Sequence, residues 1–163
     1  LLAASRGLPY VFAHHFSGRG TAEALALYRE SYVPSQDHPE PRTFLTVNAV
    51  VASTTEEARR LALPYIRSMV SLRTGQPLRA SQLVEDAEAD VLAPGHEPLA
   101  DDMLHRWVVG TPTEAAARIT ALAAEHGVDE VMVSPVAGAF AGTRADRSPA
   151  REETLRLLAE ALA

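Results

Sequence analysis

Two adjacent histidines, His14 and His15, end the run YVFAHH at residues 10–15, which reads as a β-strand. An imidazole ionises near neutrality, so a pair at a strand end suits proton transfer. Consecutive strand residues point to opposite sides, so at most one of the two faces a given site. The same divergence argues against a His-His metal centre, and no third ligand accompanies them. A structural role competes with a chemical one: one ring bonded to a loop carbonyl, the other packed beneath a helix. Asn48 sits mid-strand in TFLTVNAVVA, where its amide serves either an internal hydrogen bond or a ligand. Ser134, with Pro135, ends the run VDEVMVS and either shapes a pocket or approaches a ligand. No G-x-S-x-G elbow, phosphate-binding Walker loop or paired-carboxylate motif is present.

Composition narrows the classes further. The 163 residues are enough for one domain with a core, and 47 % apolar against 22 % charged is ordinary globular usage. The net charge of −6 and the lack of a basic, aromatic-bearing stripe argue against a nucleic-acid partner. No apolar run approaches the roughly 18–20 residues of a membrane span, and no signal-peptide pattern is visible. With no cysteine there is neither a disulfide nor a thiolate metal site, which fits a cytoplasmic protein. The opening LLAASRGLPY has no methionine and reads as a helix tail, with Gly7 as its cap and Pro9 beyond. The expectation is that an N-terminal part precedes it.

The elements that must position these residues follow from periodicity. Helices are predicted over 21–32, with Leu25, Tyr28 and Tyr32 on one side, and over about 54–72, with Pro64 kinking or restarting the second. Ser53 with Glu56, or Thr54 with Glu57, forms a capping box for the latter. Thr111-Pro112-Thr113-Glu114 starts another helix; Ala115, Ile119, Leu122 and His126 form its stripe, and Gly127 ends it. A last helix over 150–162 carries Leu155, Leu158 and Leu162. Residues 73–105, with three prolines and the acidic run EDAEAD, read as a lid or insertion with a short helix at 80–87. Trp107 is predicted to be core.

Strands near 10–15, 43–52 and 129–134 alternating with helices imply a parallel α/β architecture. In the central strand Leu45, Val47, Ala49 and Val51 make an apolar face, while Phe44, Thr46, Asn48 and Val50 make a mixed one. Mixed residues facing a barrel interior favour a wedge of an eight-stranded barrel over a doubly wound sheet. Thr111 would then lie at the barrel's stability end and serve as a cap.

The segments GLPYVFAHHF, VNAVVASTTEEARRLA and VVGTPTEAAARITALAAEHGVDEVMV together resemble the C-terminal half of the luciferase-like monooxygenases. The resemblance implies an α/β fold that is the C-terminal portion of a (β/α)8 TIM barrel, with an insertion before the last helix-strand unit. It implies reduced FMN and oxygen acting on a small organic substrate, or, in the deazaflavin members, hydride transfer. His14 and His15 are the implied catalytic residues, and Ala13, His14, Asn48 and Ser134 the implied cofactor-binding ones, with no metal. The implied partners are the missing N-terminal half or a second copy, and a separate flavin reductase. A fragment of this kind would be inactive by itself. A non-catalytic flavin-binding or dimerisation module is the alternative from another class.

Overall fold

The structure is a computed structural model that describes residues 1–163, the side chain of Ser17 excepted. In chain order the elements are α1 (Leu2–Ser5), β1 (Tyr10–Phe12), α2 (His14–Ser17), α3 (Thr21–Glu30), β2 (Thr43–Val51) and α4 (Thr55–Arg73). Then follow α5 (Val84–Ala89), α6 (Glu97–Arg106), β3 (Val108–Gly110), α7 (Pro112–His126), β4 (Glu130–Pro135) and α8 (Pro149–Leu162). β1 pairs in parallel with the start of β2, Tyr10 opposite Thr43 and Phe12 opposite Leu45. β3 pairs in parallel with the end of β2, Ala49 opposite Val108 and Val51 opposite Gly110. β4 pairs with β2 as well, giving one four-stranded sheet. Residues 45–51 of β2 are all buried, as a strand covered on both faces requires.

Contacts divide the chain into two compact units, residues 1–47 with 119–134 and residues 48–118 with 135–163. In the first, Leu25 of α3, Leu45 of β2 and Val128 form a core against Tyr10, Phe12, Ala123 and Val131. Tyr10 stacks on Tyr28 at 5.3 Å between ring centroids, and the Tyr28 hydroxyl donates to the Leu8 carbonyl at 2.8 Å. One arginine fastens the end of α7. Arg29 Nη2 donates to the carbonyls of His126 (2.9 Å) and Gly127 (2.7 Å), acceptors that a helix C-terminus otherwise leaves unpaired. Gly7 ends α1 at φ +60°, as its sequence position suggests.

The second unit is built around α4. Thr54 caps it, its hydroxyl accepting from the Glu57 amide at 3.1 Å, while Ser53 Oγ donates to the Glu57 carboxylate at 2.8 Å. The expected kink does not divide the helix: α4 runs unbroken through Pro64, whose ring is buried. The loop after β4 supports that turn, since the Gly138 amide donates to the Leu61 carbonyl at 2.7 Å. The 73–105 segment is no bare loop. It folds as α5 and α6, and Val84, Ala87, Ala100 and Met103 bury their side chains, all but Ala87 in the α4 core cluster with Ile66 and Trp107. Leu158 of α8 is buried as expected, whereas Leu155 and Leu162 are 44 % and 48 % exposed. Thr154 takes up the burial instead: its hydroxyl accepts from the Val51 amide at 3.2 Å and donates to the Ala150 carbonyl at 2.9 Å.

Gly138 admits a direct test. A Cβ there would stand 2.6 Å from Pro64 Cγ and 3.3 Å from the Leu61 carbonyl oxygen, and a proline ring cannot swing aside. Gly138→Ala should therefore cost about 1–3 kcal/mol in urea unfolding. An unchanged midpoint would show that the loop does not rest on the proline.

Candidate active site

The histidine pair is not on a strand. β1 stops at Phe12, and His14 and His15 open the single turn α2, with Ala13 as its exposed N-cap. The sequence expectation fails because a helical turn replaces the last strand residues. The divergence it foresaw survives in another form, because the rings bond to different elements. His14 Nδ1 lies 2.9 Å from Thr21 Oγ1 at the start of α3. His15 Nδ1 makes a short hydrogen bond to Thr46 Oγ1 of β2.

Each threonine hydroxyl also reaches a backbone carbonyl. Thr21 Oγ1 donates to the Gly18 carbonyl at 3.3 Å, and Thr46 Oγ1 to the Phe12 carbonyl at 3.3 Å. A hydroxyl has one proton to share between the carbonyl and the imidazole, so each ring is oriented from its Nδ1 side and its tautomer is coupled to the threonine's choice of partner. Burial lowers the pKa of His15 below the ordinary imidazole value and keeps the ring neutral at pH 7. The His14 ring meets a third imidazole edge-on: His126 of α7, 8 % exposed, with centroids 5.4 Å apart.

His126, Thr21 and Thr46 were not singled out as site residues from sequence. His126 reads there as one position of an apolar helical stripe, and the threonines as a helix start and a mixed strand face. Of the other expected residues, Ser134 is half-buried within β4 of the same unit. Asn48 belongs to the second unit, where it is 1 % exposed within β2.

Thr111 needs a correction of place. β3 aligns Gly110 with Val51, so α7 begins beside the C-terminal end of β2 and not at the opposite, stability end. Capping is nonetheless its role. The Glu114 carboxylate accepts from the Thr111 amide (2.8 Å), Thr111 Oγ1 (3.0 Å) and Thr55 Oγ1 (2.7 Å). Those bonds, the amide first, hold its carboxyl below the usual carboxylate range.

A parallel α/β sheet with paired imidazoles just beyond its first strand defines a class, and the comparisons give the family. Residues 1–130 match the luciferase-like monooxygenases, and the chain belongs to that family. YvbT of Bacillus subtilis (strain 168) is 34 % identical over 133 residues, 82 % of this chain and 39 % of YvbT. The crystal structure of apo-MsnO8 superposes with a TM-score of 0.81 at 32 % identity, covering 98 % of this chain and 46 % of that one. The fold is shared too by the oxygenating constituent of 3,6-diketocamphane monooxygenase from Pseudomonas putida, solved with FMN. There the TM-score is 0.59 and the identity 20 %, over 99 % of this chain and 44 % of that one. The chain thus spans less than half the length of these relatives, as a partial barrel does. Among the described residues no helix is long and apolar enough to cross a membrane.

The buried neutral imidazole has a consequence for pH dependence. His15 has a lower pKa in the folded than in the unfolded chain, so the unfolded chain binds more protons as pH falls. Its contribution is present above about pH 6.5, the unfolded value, and declines below it. Urea midpoints between pH 7.5 and 5.5 should therefore fall less steeply for His15→Asn than for the parent. Parallel curves would contradict the assignment.

Proposed function

We propose that this chain furnishes one wall of the flavin site of a monooxygenase that uses reduced FMN and oxygen on a small organic substrate. The observation that carries this reading is the pair of adjacent imidazoles just beyond β1, each oriented through Nδ1 by a buried threonine hydroxyl. Family membership and the FMN found in the camphane-oxidising relative support it. Oriented imidazoles suit a flavin ring edge, whose polar atoms need hydrogen-bond partners at a defined place. When bound, the flavin supplies the redox chemistry with oxygen.

The chain's own residues bind, orient and handle protons. His15, neutral and held by Thr46, hydrogen-bonds the ring edge and fixes its orientation. His14, held by Thr21, takes or returns a proton as charge develops next to it. Ala13 is small and exposed, and lets a ring lie close to the start of α2. Ser134 offers a hydroxyl at the end of β4. Asn48 is proposed as a cofactor-binding carboxamide on its own account in the second unit.

The partners follow from length and surface. Leu8, Val11, Phe16 and Met132 of the first unit are 38–55 % exposed, which supports association with the remainder of a barrel or with a second copy. By itself the chain is proposed to be inactive, and a separate reductase is proposed to supply the reduced flavin.

Flavin titration tests the proposal. The chain alone should bind FMN weakly, and the chain joined to the first half of the MsnO8 barrel should bind it tightly. In the joined protein His15→Asn should weaken FMN by about tenfold, the loss of one well-placed hydrogen bond. Joined protein that ignores FMN, or that takes a deazaflavin in its place, would overturn the FMN reading.

A further inference from the structure

The second unit contains a groove of about 510 Å³ between α4 and the segment that returns across it, residues 76–96. That volume lies within the range of small-molecule sites, roughly 300–1,000 Å³. We infer that it is a ligand site distinct from the histidine site, and that it takes a small organic anion, an oxyanion head on an apolar body.

Charge is the first argument. The chain as a whole carries −6, yet the groove is lined by two arginines, Arg67 and Arg79, and by His96, against a single carboxylate, Asp90. That carboxylate is already engaged: Gln82 Nε2 donates to its Oδ2 at 3.2 Å. An acidic surface with one basic concavity attracts anions to that concavity.

Arg67 provides the second argument. Its Nη2 donates to the carbonyls of Ala87 at 3.2 Å and Asp90 at 2.6 Å, which fixes the guanidinium across the end of α5. Its Nε and Nη1 are shielded from solvent and have no acceptor. Buried donors are nearly always satisfied, and an unmet pair on a charged group is costly. An oxyanion brought against Arg67 supplies the acceptor, and a guanidinium already held in place loses little freedom in binding it. Arg79, exposed on the rim, closes on the same head from the other side.

The body of the ligand follows from the remaining wall. Leu78 and Val91 line the groove at 63 % and 86 % exposure and give it apolar surface that an alkyl body covers. The hydroxyls of Ser71 and Thr74, at the end of α4, line the groove together with these apolar side chains, so it offers both polar and apolar contacts.

Calorimetric titration of the 163-residue chain decides the matter, with octanoate, inorganic phosphate and 1-octanol as probes. Octanoate should bind and 1-octanol should not; phosphate binding more tightly than octanoate would assign the head as a phosphate and not a carboxylate. Arg79→Ala removes only a rim charge and should weaken the bound anion by about tenfold. Arg67→Lys keeps the charge but loses the fork, and should weaken it at least as much. The proposal is overturned if neither anion binds, if 1-octanol binds as well as octanoate, or if both variants bind like the parent.

Discussion

The structure depends on β2. A parallel strand has no hairpin to hold it and must be paired along its edges and covered on both faces. β2 meets the first demand with β1 along its first three residues, β3 along its last three, and β4. It meets the second by burying every side chain from Leu45 to Val51. Its backbone needs extend to the surrounding helices: the buried Thr154 of α8 exists in that place to accept the Val51 amide. Thr46 ties the strand to α2, since the hydroxyl that β2 buries is the one that meets His15 Nδ1.

The histidines illustrate how a fold converts an ambiguous side chain into a defined one. A free imidazole exchanges tautomers and protonates near pH 6.5. Here a threonine hydroxyl at Nδ1 constrains the first freedom, and burial of His15 shifts the second. Neither effect requires a charged partner. The same economy appears where α7 begins, at which one carboxylate, Glu114, satisfies an amide and two hydroxyls and so ties Thr55 to Thr111.

Much of this was legible in the sequence, and the gaps have physical causes. The α7 stripe Ala115, Ile119, Leu122 and His126 is buried as its spacing requires, and the Thr54 and Thr111 caps form where the pattern places them. β3 escaped notice because three residues, Val108–Gly110, are too few to show a period. α6 escaped because Pro98 looks like a breaker, yet proline suits the first turn of a helix, where its missing N–H has no partner to lose. Pro64 misled in the opposite sense: a contact from Gly138, 74 residues away in sequence, stabilises the turn it was expected to disrupt. The histidines themselves were found by type and position. Their partners were not, because Thr21 and Thr46 reach them only once the chain has folded.

The proposed site depends on a neutral His15 imidazole held in place by Thr46. Long-range proton–nitrogen correlation of the histidine rings at pH 7 measures this directly. The expected result is a neutral His15 ring, with one of its two nitrogens at the unprotonated position. A doubly protonated His15 ring at pH 7 would contradict it.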